Sequence, residues 1–170
     1  MRFVLVDRIL ELVPGQSIVT EKALTLAEEY LGDHFPSFPV MPGVLMVEAM
    51  VQSAAWLVRA STDFAASIIV LKQARNISYK SFVPPGQVLT LSVQARNITR
   101  AESEFVGQGR TGDRQVVKAR FALTHYNLAE QDPALADVDR RVIQRQRELF
   151  ELLGGSRLLR PAATVREPTR

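Results

Sequence analysis

The chain has 170 residues, 46% of them apolar and 23% charged, a balance near the soluble globular average that argues against a disordered or fibrous protein. It has no cysteine, which removes disulfides, thiolate zinc sites and cysteine nucleophiles, and two histidines, His34 and His125, too few for a histidine-rich metal site. The net charge of +3 resides in residues 154–170, where Arg157, Arg160, Arg166 and Arg170 face Glu167 alone; the remainder is neutral, so the basic stripe of a nucleic-acid module is missing.

In chain order, residues 3–13 are rich in Val, Leu and Ile and stop at Pro14-Gly15, and Ile18-Val19 follow, which predicts two strands around a tight turn. Asp7 and Arg8 interrupt the first apolar stretch too early for a signal peptide. Residues 23–31 fit a short helix. Pro36, Pro39 and Pro42 then fall at intervals of three and force an irregular, stiff loop, because each fixes its own φ and biases its predecessor away from helix.

From Gly43 to about Arg59 nearly every position is apolar, the pattern of a helix buried on all sides. Glu48, Gln52 and Ser53 break it, and Glu48 and Gln52 lie one turn apart on one face. With Pro42, Glu48 and Gln52 in it, this stretch falls short of the roughly 18 apolar residues of a membrane span. Strands are expected at 67–78, at Leu89–Ala95 by strict alternation, at Glu102–Gln108, and at Val117–Leu123 beyond a Gly112-Asp113 hairpin. The order predicts an α+β domain, an antiparallel sheet wrapped around one central helix. A last helix is expected between the Asp132-Pro133 start and the Gly154-Gly155 stop, with Val138, Val142, Leu149, Phe150 and Leu153 as its apolar stripe. Residues 156–170 read as a flexible basic tail.

A carboxyl within an apolar helix must pair, accept hydrogen bonds or keep its proton, so Glu48 is either a satisfied core group or a functional one. His34, taken alone, is equally open, and His125 reads as structural. Together, however, His34-Phe35-Pro36, Pro39, Pro42-Gly43-Val44, Glu48-Ala49-Met50 and Gln52 resemble the signature of the bacterial 3-hydroxyacyl-(acyl-carrier-protein) dehydratases of fatty acid synthesis. Residues 3–8, Phe-Val-Leu-Val-Asp-Arg, and the Pro84-Pro85-Gly86 turn look like that family too, and glutamate at the helical position resembles its FabZ type. Asp33 stands where glycine often precedes the family's histidine, and residues 127–170 have no counterpart in it.

The resemblance implies a hotdog fold over residues 1–126 with a helical extension at 127–155, and dehydration of (3R)-hydroxyacyl thioesters to trans-2-enoyl products without metal or organic cofactor. It implies His34 as base, Glu48 as acid, the Gly43 amide as oxyanion donor, Gln52 as the group orienting Glu48, and the Val40 carbonyl as the tie on the histidine ring. It implies that Met46, Met50 and Trp56 wall an acyl tunnel. Partners follow in kind: acyl carrier protein or another acyl thioester, and a second copy of the chain, as a homodimer or a trimer of dimers with sites shared between subunits. A cytoplasmic place is expected, with no membrane span and no nucleic acid. Two alternatives keep the fold: a hotdog thioesterase or hydratase, and a catalytically silent protein that binds acyl chains or carrier. Lys72, Arg75 and Lys80 are candidates for a basic rim toward an acidic carrier.

Overall fold

The computed structural model describes residues 4–159. Six strands form one antiparallel sheet: β1 (Arg8–Val13), β2 (Ser17–Ala23), β3 (Ile68–Tyr79), β4 (Val88–Ile98), β5 (Glu102–Thr111) and β6 (Arg114–Tyr126), in the order β1-β2-β4-β5-β6-β3. The sheet wraps around α1 (Gly43–Ser61), the architecture expected from the sequence. Gly15 and Gly112 stand at positive φ in the β1–β2 and β5–β6 turns, conformations that a side chain disfavours.

Alternation decides which face of each strand meets the helix. Leu89, Leu91 and Val93 of β4 and Val117, Ala119 and Leu123 of β6 have no exposed surface. On β5, Gly107 lets the sheet close on α1: a Cβ there would sit 2.7 Å from Met50 Sδ. By length and hydropathy alone α1 could cross a membrane, yet 67% of its apolar window is buried within the protein. The apolarity of α1 serves the core.

Two expected elements differ. Residues 23–31 yield only a single 3-10 turn at Glu29–Leu31, since β2 runs on to Ala23 and takes the first residue of the expected helix. The first strand begins at Arg8 rather than near Phe3, because the preceding segment turns inward toward α1, where the Leu5 amide donates to Gln52 Oε1 (2.9 Å).

The last long helix, α2 (Ala136–Leu152), is followed by α3 (Gly155–Leu159); residues 160–170 of the expected tail lie outside the described residues. Phe150 anchors α2: it is 2% exposed, and its ring centroid lies 5.9 Å from that of Trp56 on α1 and 5.4 Å from that of Phe64. Phe150→Ala is expected to destabilise the fold by about 3–5 kcal/mol, the usual range for a buried phenylalanine, as read from urea unfolding. A loss under about 1 kcal/mol would mean that α2 is only loosely attached.

The buried face of α2 also carries Asp139, which the sequence stripe omitted. Its carboxylate accepts from the Ser67 hydroxyl and from the Leu128 and Ala129 amides (3.0 and 2.9 Å), tying the β6–α2 connection to the segment before β3. Burial pushes its pKa up, but these three donors outweigh burial and hold it below the ordinary 3.8. A depressed carboxyl stabilises the fold above its ordinary pKa, and that contribution disappears as pH falls through the lowered value. The stability advantage of the natural chain over Asp139→Asn should therefore be full at neutral pH and vanish in strong acid. Unfolding midpoints of both proteins across that range provide the check.

Both sheet edges have neighbours to consider. At β1 the Ile9 amide donates to the Leu153 carbonyl (2.9 Å), so the C-terminal segment covers that edge. At β3 the outer side is open over twelve residues, and Val70, Leu71, Ile77 and Tyr79 are each at least 40% exposed. A long, apolar, unpaired edge is a template for another strand.

Candidate active site

The proline-rich loop holds His34 in a fixed pose. Its Nδ1 lies 3.1 Å from the Val40 carbonyl oxygen, while the Val40 amide donates to the His34 carbonyl (3.1 Å), a reciprocal clasp that closes the loop. A carbonyl can only accept, so Nδ1 carries the proton and a neutral ring presents Nε2 as a lone pair. The His34–Phe35 peptide is cis, and the two rings stack with centroids 4.1 Å apart.

Glu48 projects from the second turn of α1 and is half-buried. Gln52 Nε2 donates to its Oε1 (3.0 Å). Because Gln52 Oε1 accepts from the Leu5 amide, the orientation of the carboxamide is set and its NH₂ must face Glu48. The inward turn of the N-terminal segment thus decides what Glu48 receives. Leu5 was invisible as a site residue in the sequence, since its contribution is a backbone amide.

Gly43 is the first residue of α1, after Pro42 at the cap. The first amides of a helix lack intrahelical acceptors, and the helix dipole adds positive character there. The space that a Gly43 side chain would take is filled: a Cβ would lie 2.8 Å from Tyr79 Cε1. Tyr79, at the end of β3, was not singled out by sequence, where it reads as one more strand aromatic. It is 49% exposed and borders the open edge.

The three tunnel candidates diverge. Met46 and Met50 are buried, with Met50 directed at the sheet beneath Gly107, whereas Trp56 lines a cavity of about 200 Å³ that also includes Glu48 and Gln52. His34 is not among the residues lining that cavity, and within one chain no hydrogen bond joins it to Glu48. His125 is buried across the sheet, where Nδ1 donates to the Arg100 carbonyl (3.2 Å) and Nε2 accepts from the Ser103 hydroxyl (2.9 Å). Burial is the main reason its pKa falls below the ordinary value. Both ring nitrogens are occupied, as suits a structural histidine. Among the described residues no three His, Asp or Glu side chains gather in a way that could hold a metal ion.

Of the basic candidates, Lys72 pairs with Glu102. Arg75, Arg96, Glu104 and Arg120 are among the residues lining an open depression on the sheet.

Comparison with known proteins adds an independent line. The family model described as a FabA-like domain matches residues 1–120. The 3-hydroxyacyl-(acyl-carrier-protein) dehydratase FabZ of Lactiplantibacillus plantarum is 44% identical over 88 residues, which cover 52% of this chain and 60% of that enzyme. FabZ of Caulobacter vibrioides is 36% identical over 122 residues, 71% of this chain and 77% of the relative. Among solved structures, the dehydratase heterocomplex ApeI:P from Xenorhabdus doucetiae superposes with a TM-score of 0.61 at 16% identity, over 78% of this chain and 90% of that one. The Escherichia coli PaaI protein does so with a TM-score of 0.53 at 16% identity, over 69% and 81%. At that identity the structural matches speak for the hotdog fold alone. The matched region of the family model ends before α2.

Proposed function

The chain belongs to the FabA-like family of hotdog dehydratases, and from that premise we propose that it removes water from (3R)-hydroxyacyl thioesters on acyl carrier protein, giving trans-2-enoyl thioesters for fatty acid biosynthesis. The observation that carries the reading is the hydrogen bond from His34 Nδ1 to the Val40 carbonyl, which holds the ring and makes Nε2 the lone-pair nitrogen of the neutral imidazole.

The steps follow from this chemistry. Nε2 of His34 takes a proton from C2 of the substrate, and negative charge moves to the thioester oxygen. The Gly43 amide, at the positive end of α1, donates to that oxygen, where fixed dipoles are most effective. The C3–O bond then breaks as Glu48 delivers a proton to the departing hydroxyl, forming water. Gln52 holds the Glu48 carboxyl in place throughout. The balance is one water lost, with a proton passing from His34 back to Glu48 between turnovers.

In this reading the site is completed by a second copy. No hydrogen bond joins His34 to Glu48 within one chain, and the open β3 edge, with Tyr79 against Gly43, offers the surface on which a partner's β3 would pair antiparallel. Each site would then combine His34 of one subunit with Glu48 of the other. The domain reading is a hotdog body at 1–126 carrying a C-terminal extension at 127–155, in a protein working in the cytoplasm beside its carrier.

The experiment is conversion of a 3-hydroxyacyl-carrier thioester, followed by the enoyl absorbance. Appearance of the enoyl product supports the reading. Release of free thiol without it would replace dehydration by thioester hydrolysis.

A further inference from the structure

Arg59 lies on the same face of α1 as Glu48, since positions 48, 52, 55, 56 and 59 follow helical three- and four-residue spacing. It is 8% exposed, and its guanidinium sits over the Trp56 ring, 5.1 Å from the centroid. Among the described residues nothing accepts a hydrogen bond from this guanidinium, and its Nε is a buried donor without a partner. Burial pulls its pKa down to about 10, so it stays charged at neutral pH. A sequestered charge without a counter-ion is costly, and a side chain kept in that state contributes little to holding a fold. The planar fork of arginine is suited to gripping a carboxylate through two hydrogen bonds.

The cavity of about 200 Å³ that includes Glu48 and Gln52 also includes Arg59. Val51, Ala55 and Trp56 of α1, Leu149 of α2 and Leu153 just beyond it make it apolar in between, and Gln146 of α2 adds a polar group to its wall. Eleven residues of helix separate Glu48 from Arg59, a rise of about 16 Å at 1.5 Å per residue. The arginine leans back toward the helix start, as helical side chains do, which shortens the span. At about 30 Å³ of liquid volume per water, the void has the capacity of roughly six or seven waters, a size for a chain of medium length.

We propose that this cavity receives the far end of the acyl chain and that Arg59 selects substrates whose chain ends in a carboxylate over those ending in a methyl group. The inference rests on the dehydratase reading, in that Glu48 marks where the thioester end reacts. An ω-carboxylate supplies the acceptor that Arg59 lacks. A methyl terminus leaves the buried Nε of Arg59 unpaired, so discrimination comes from both partners. One wall of the cavity comes from Gln146 and Leu149 of α2, beyond the residues that the family model matches, so the selectivity depends on the C-terminal extension.

The test compares kcat/KM for two 3-hydroxyacyl-carrier thioesters of equal length, one with an ω-carboxylate and one with a methyl end, in the natural protein and in Arg59→Met. The natural protein should favour the carboxylate by about 10²-fold or more, and Arg59→Met should reverse the order. Equal preference in the natural protein, or a preference that Arg59→Met leaves unchanged, overturns the proposal. Arg59→Lys, which keeps the charge, should retain part of the preference and guards against a folding defect. If neither thioester reacts, the dehydratase reading has failed, and the cavity is tested separately by calorimetric titration with suberate and octanoate. Suberate binding that Arg59→Met abolishes upholds the site, whereas no preference for suberate over octanoate refutes it.

Discussion

Glu48→Gln and His34→Ala are each expected to lower dehydration of a 3-hydroxyacyl-carrier thioester by about 10²–10⁴-fold, the range for loss of a positioned general acid or base. Glu48→Gln is the sharper of the two. The replacement is close to isosteric and still offers an oxygen to Gln52 Nε2, so the bond that orients the side chain survives while the transferable proton is lost. His34→Ala removes the ring and the clasp on Val40 together, so its circular dichroism and unfolding midpoint must be recorded beside its turnover. A Glu48→Gln protein that keeps most of its kcat would show that the carboxyl of this helix is a satisfied structural group, the other reading that the sequence left open.

A mixture of the two inactive proteins should regain activity. If each site joins His34 of one subunit to Glu48 of the other, a heterodimer of the two variants concentrates both lesions in one site and leaves the second site intact. Co-expression with distinct tags and purification through both yields that heterodimer alone. Expected is one working site per dimer, against the two of the natural protein and none in either variant homodimer. Should the doubly tagged species stay as inactive as its parents, the site is confined within a chain and the role proposed for the open β3 edge falls. The result reads the position of two groups in space, which loss of activity in single variants cannot do.

These two experiments address what the local pattern could and could not convey. The clasp between His34 and Val40 spans six residues within a loop stiffened by three prolines, and the bond between Gln52 and Glu48 spans one helical turn. Both are short-range: the second follows from helical spacing, and the first was implied by the family resemblance. The side chains around them were less legible. Leu5 aligns Gln52 through its backbone, from 47 positions away, and Tyr79 reaches Gly43 from the end of β3. Neither residue carries a type or spacing that marks it.

The C-terminal helix makes the same point from energetics. Its stripe of Leu149, Phe150 and Leu153 was readable as an amphipathic face, but the surface it covers was not. Asp139, an ordinary acid in an exposed-looking helical turn, proves to be buried and bonded to Ser67, 72 residues earlier. Arg59 looked like the polar end of an apolar helix. In the folded chain it is 8% exposed, with a buried Nε that has no partner, and it lines a cavity together with Gln146 and Leu149 of α2.

The sequence by itself determined the α+β order, the buried helix and the proline-stiffened loop. Each depends on periodicity or on φ restrictions acting over a few residues, and such forces are encoded locally. The tertiary structure alone decided which sheet edge stays open, what orients Gln52, what fills the space at Gly43 and which α2 residues share a cavity with Arg59. Those features arise where segments distant along the chain exclude water from one another, and desolvation is a property of the assembled surfaces rather than of any stretch of residues.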